Sequence, residues 1–158
     1  MRILILKDDD LFKHSTNWSN VWIDYSKKHN LDYEVLSPYS SVIIPKLKDF
    51  DICLWHFSNY LYTDMVFARS ILSTAKALGL SVFPDYGDSW HFDDKIAQSY
   101  LLDSIGSNIP KYWVFNKKNE AIDWLSKNAN YPLVSKLKGG SGSHHVKLLS
   151  SKRLAIAY

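Results

Sequence analysis

The chain has 158 residues, of which 46% are hydrophobic and 22% charged, and it carries a formal net charge of +3. That balance describes an ordinary soluble globular chain with a real core, built as one domain or two small ones. A single cysteine, Cys53, excludes an intramolecular disulfide framework, and no apolar stretch reaches the roughly 18 residues of a membrane span.

Taken in chain order, residues 1–6 (MRILIL) form a short apolar run entering the polar Lys7-Asp8-Asp9-Asp10, the pattern of a buried strand leading into a loop. This run is too short for a signal-peptide core, and a reducing, cytoplasmic setting is the simplest reading. Trp18, Val21, Trp22 and Tyr25 follow helical spacing and mark one apolar face. Residues 32–36 and 51–57 read as second and third strands. Met65, Ala68, Leu72 and Ala75 resume helical spacing, with Gly79 where a C-terminal cap glycine belongs. A fourth strand, 80–83, is closed by Pro84. Strands alternating with helices of this length predict a parallel sheet with crossover helices, so residues 1 to about 85 read as a small doubly wound α/β unit. Trp55, His56, Phe57, Tyr60 and Tyr62 cluster where the third strand ends, an edge that ligands favour in such sheets; rings capping the core would give the same pattern.

The second half has another rhythm. Asp93 and Asp94 fall in the first turn of a helix whose Ile96, Ala97, Tyr100 and Leu101 share one side, and acids there complement the helix dipole. Pro110 precedes a strand-like run, 111–115. A short helix spans 119–129 with Ile122, Leu125 and Ala129 inward. Residues 132–137 and 146–149 read as strands, and 150–158 as the beginning of a helix.

Between those last strands lies the segment with most chemistry, residues 131–146 (YPLVSKLKGGSGSHHV). Three of the six glycines, Gly139, Gly140 and Gly142, fall within it. Glycine lets backbone N–H groups converge on an anion, and a strand-end lysine adds a point charge beside them. This is the chemistry of a phosphate cradle, although the spacing is not that of a Walker A loop. A hairpin loop whose glycines merely turn the chain would use the same residues. Residues 131–158 hold five bases (Lys136, Lys138, Lys147, Lys152, Arg153) and no acid, a local field suited to a small polyanion. Nucleic acid would also suit that field, but the loop lacks interleaved aromatics for base stacking.

The ordered set PDYGDSWHFDDKIAQSYLL, IPKYWVF and YPLVSKLKGGSGSHHV resembles the nucleotide-binding N-terminal half of the ATP-grasp superfamily. The resemblance covers about residues 84–158; residues 1–85 are similar in pattern only to the α/β domain that precedes such lobes. It implies an α/β fold, a small doubly wound parallel-sheet domain over 1–85, followed by an incomplete α+β lobe over 86–158 with a small, mainly antiparallel sheet. It implies ATP as ligand, its phosphates held by Lys95, Lys136 and a loop of Gly139, Gly140, Ser141, Gly142 and Ser143. Lysine suits this as a compact point charge; Lys138, near the strand end, should point to the other face and add only to the field. For Lys95 the plain reading is a surface lysine paired with Asp94. The parent would be an ATP- and Mg²⁺-dependent carboxylate–amine ligase working through an acyl phosphate on a small-molecule or peptide carboxylate. The adenine hinge and metal ligands belong to a second lobe of the family. The resemblance therefore implies half a site here, with weak ATP affinity, no ligase activity and no identifiable catalytic residue. An exposed apolar face around Trp113, Val134 and Leu148 would invite self-association. A non-catalytic interaction domain that kept the fold is the alternative.

Other constellations carry less. The six histidines show no metal-ligand spacing, His144-His145 included. The acids at 8–10 suggest a receiver domain, but its phosphoacceptor and late lysine are missing after the third and fourth strands. Gly-x-Ser-x-Gly is absent.

Overall fold

The computed structural model describes residues 1–8, 17–58, 61–140 and 145–158, and the chain divides into two compact units, Met1–Trp90 and His91–Tyr158.

In the first unit four strands form one parallel sheet in the order β2-β1-β3-β4: β1 Arg2–Leu6, β2 Asp32–Leu36, β3 Ile52–Trp55 and β4 Ser81–Phe83. Leu4 pairs with Cys53 and Leu6 with Trp55, so these four side chains share a face. They form the core with Ile43, Leu47 and Phe50 from the β2–β3 connection and Ala68, Ile71, Leu72 and Ala75 from α3, Tyr62–Ala77. That connection holds a short helix, α2 (Ile43–Lys46), and a 3-10 turn, Leu47–Asp49, neither predicted from periodicity. Burial raises the Cys53 thiol pKa to about 12, consistent with an inert core thiol. Gly79, at φ 92, donates its N–H to Lys76 and Leu80 donates to Ala75, which closes α3 in the paired C-terminal motif expected of that glycine.

The opposite face bears Ile3 and Ile5, both buried, and α1 (Trp18–Lys28) lies against β1 and β2. Here the predicted apolar stripe is corrected. Trp18, Val21 and Tyr25 are exposed, whereas Ser19 and Ser26 are buried. Small serines bring the helix close to the sheet, and the Ser19 hydroxyl donates to the Leu6 carbonyl at 3.0 Å, supplying the buried partner it needs.

In the second unit, α4 (Lys95–Ser104) and α5 (Lys118–Lys127) precede an antiparallel pair, β5 (Leu133–Lys136) and β6 (Val146–Leu149), and α6 (Lys152–Ala157) follows. Residues 111–115, predicted as a strand, belong to neither sheet. The segment instead puts the Trp113 and Phe115 rings against Trp124 of α5, at 4.5 and 5.6 Å between centroids. An extended run becomes a strand only with a ladder partner, and this one is held by ring packing. The fold is thus mixed α/β, a four-stranded parallel sheet followed by a unit with a small antiparallel sheet.

Candidate phosphate-binding site

The register of β5 and β6 pairs Val134 with Leu148 and Lys136 with Val146, so these four share one face. That face is open: Val134 and Leu148 are 57% and 62% exposed. The other face bears Leu133 and the buried Leu149, with α6 against β6. Lys136 thus ends an apolar sheet face with an ammonium that makes no ion pair among the described residues. Trp113 is also about half exposed.

The glycine segment is a hairpin connection, with the Leu137 N–H donating to the His145 carbonyl at 3.3 Å. The turning role is therefore real. Yet the connection runs from 137 to 145, well beyond the about two to five residues that hairpins ordinarily use. Gly140 has φ 119, a conformation that L side chains rarely adopt. Ser141, Gly142 and Ser143 lie outside the described residues.

The described arm of this loop meets the start of α4. Asp94 is the N-cap residue, and its carboxylate accepts from the Ile96 and Ala97 N–H groups at 3.0 and 2.9 Å. Asp93, expected in the first helical turn, lies outside the helix at φ 53. One residue cannot both cap and continue, so the two adjacent acids diverge. Lys95, the first helical residue, donates its backbone N–H to the Lys138 carbonyl at 2.7 Å. The Lys138 ammonium in turn sits 3.2 Å from Asp94. Burial works to raise the Asp94 pKa, but the Ala97 N–H, the Lys138 ammonium and the Ile96 N–H outweigh it and hold the carboxyl below its usual range.

A third link crosses beside these. The Asp93 carboxylate accepts from the Gly140 N–H at 3.1 Å and lies 3.4 Å from the Lys95 ammonium. Lys95 therefore pairs with Asp93, not with Asp94 as its plain reading had it. Among the predicted site residues, Lys95, Gly139 and Gly140 come together around Asp93, while no hydrogen bond or ion pair among the described residues links Lys136 to this group. Sequence reasoning missed Lys138 as the residue that ties strand exit to helix start. An Asp directly before an apolar helical pattern was the available signal for the cap.

In the first unit, Trp55 and Phe57 are buried in the core, so these two rings cap it. His56 is half-buried; its Nδ1 accepts from the Trp18 N–H at 3.2 Å, and burial lowers its pKa. Tyr62 is 83% exposed, and Tyr60 lies outside the described residues. Asp64 in the first turn of α3 is fully buried and accepts from the Ser58 N–H at 2.7 Å and from the Tyr39 hydroxyl. Among the described residues no three His, Cys, Asp or Glu side chains come together as metal ligands, and no helix is long and apolar enough to cross a membrane.

No protein-family model and no curated protein matches the chain. Solved structures do. A RimK domain ATP-grasp protein from Sphaerobacter thermophilus DSM 20745 aligns with a TM-score of 0.65 at 16% identity, covering 99% of this chain and 56% of that one. D-alanine–D-alanine ligase from Bacillus anthracis gives 0.63 at 20% identity, covering 99% and 51%. N5-carboxyaminoimidazole ribonucleotide synthetase from Thermotoga maritima gives 0.62 at 16% identity, covering 99% and 43%. The chain spans about half the length of these structures. Nearly all of the chain follows their course, and its fold is an ATP-grasp fold over the part that it spans.

Proposed function

We propose that this chain binds the phosphates of ATP through Lys95, Lys136 and the 139–143 loop, as part of an ATP- and Mg²⁺-dependent carboxylate–amine ligase. The observation that carries this reading is the meeting of the glycine arm with the start of α4. It brings the Gly140 N–H and the Lys95 ammonium to the same carboxylate, at 3.1 and 3.4 Å. A backbone N–H and an ammonium meeting the two oxygens of one anionic group are the donors that a phosphate needs. The excess hairpin length and the ammonium at the end of an apolar sheet face support the same reading. In the ligase reaction ATP would phosphorylate a carboxylate, and an amine would displace the phosphate from the acyl phosphate. The residues described here would bind and orient phosphate. Among the described residues no three His, Cys, Asp or Glu side chains come together to hold Mg²⁺.

Titration of the chain with ATP at two salt concentrations tests the site. Lys95→Ala and Lys136→Ala should each reduce binding at least tenfold, about 1.4 kcal/mol. Binding unchanged in both variants overturns the assignment. The half-exposed Trp113, Val134 and Leu148 favour a second reading, an interaction domain that keeps the fold without catalysis. Absence of ATP binding together with concentration-dependent self-association would favour it.

A further inference from the structure

We infer that Asp93 is a built-in occupant of the phosphate position, a latch that nucleotide must displace. This rests on the phosphate-binding reading above. One carboxylate meets both of the described donors assigned to phosphate, the Gly140 N–H through Oδ2 at 3.1 Å and the Lys95 ammonium through Oδ1 at 3.4 Å. An anionic group that offers one oxygen to a backbone N–H and another to an ammonium is what a phosphate would supply there. The Asp93 side chain is only 15% exposed, so it sits in the site rather than over it.

The backbone shows that this placement is separate from helix capping. Asp93 takes φ 53, a left-handed conformation that costs most L residues energy and that Asp and Asn tolerate best. The turn aims its carboxylate at the loop, while Asp94 takes over the cap. Asp93 is also not alone in joining loop to helix. The Lys95 N–H to Lys138 carbonyl bond and the Lys138–Asp94 ion pair make that join without it. Removing the Asp93 charge therefore leaves the scaffold tied and frees the two donors. A negatively charged triphosphate approaching the site meets a resident negative charge on the donors it must use, which lowers affinity until the carboxylate swings out.

The test uses the full chain with ATP and with inorganic triphosphate as probes. Asp93→Asn keeps a residue that tolerates the left-handed backbone and loses only the charge; Asp93→Gly also tolerates it and loses the side chain. Both variants should bind the two probes more tightly, about tenfold for the glycine variant. Without any nucleotide, hydrogen exchange at the Gly140 amide should speed up in Asp93→Gly. Unchanged or weaker binding in both variants, while Lys136→Ala still reduces ATP binding at least tenfold, overturns the latch and leaves the phosphate site standing. Unchanged exchange at Gly140 overturns it independently of any ligand. Failure of the wild type and of both Asp93 variants to bind either probe overturns the latch and the phosphate reading together.

Discussion

Replacing Asp94 by alanine should loosen the start of α4 and with it the placement of Lys95. The carboxylate accepts two helix N–H groups, at 3.0 and 2.9 Å, and losing an N-cap of this kind costs about 1 kcal/mol. The Lys138 ion pair adds little, because that lysine side chain is 68% exposed and such pairs contribute about 0–1 kcal/mol. The total is about 1–1.5 kcal/mol, and a domain the size of the second unit shifts its melting temperature by about 4–8 °C per kcal/mol. Asp94→Ala should therefore melt about 5–10 °C lower, with faster hydrogen exchange at the Ile96 and Ala97 amides. Asp94→Asn is the control, since asparagine caps as well as aspartate and only the exposed pair is lost. The folded-state pKa of Asp94 is depressed, so its contribution is present above the unfolded value of about 4 and is lost as pH falls through the folded value. The wild-type advantage over alanine should shrink accordingly in acid. A melting temperature within a degree of wild type for Asp94→Ala, or an asparagine variant as damaged as the alanine one, would refute the capping account.

In the first unit, Asp64→Ala strips the buried Ser58 N–H of its acceptor and should cost about 2–3 kcal/mol in urea unfolding; an unchanged midpoint would show that the contact contributes nothing. His56 has a folded pKa lowered by burial, so its contribution is full above the unfolded value of about 6.5 and is lost as pH falls below it. His56→Asn, which keeps an acceptor for the Trp18 N–H, should flatten the loss of stability between pH 7 and 5. Parallel stability curves for the two proteins would refute that assignment.

Local pattern alone determined much of this protein. The apolar run at 1–6, the strand read at 32–36, the helical stripe ending at Gly79 and the strand-end lysine before the glycines each signal through neighbours in sequence. Periodicity of 2 or 3.6 and a left-handed glycine are properties of a few adjacent residues, and the succession of those signals was enough to mark the fold. Tertiary structure decided the rest, because each remaining question depends on a partner distant in sequence. The α1 helix turns Ser19 rather than Trp18 and Tyr25 toward the sheet because the Leu6 carbonyl offers a buried hydrogen bond. Residues 111–115 stay out of the sheets because their rings pack on Trp124. Asp94 caps α4 through the N–H groups of Ile96 and Ala97, its neighbours in sequence, whereas the adjacent Asp93 finds its donor in Gly140, more than forty residues away. No short window of sequence contains both halves of that second contact, and hydrogen bonding across that distance is what gives Asp93 work different from its neighbour's.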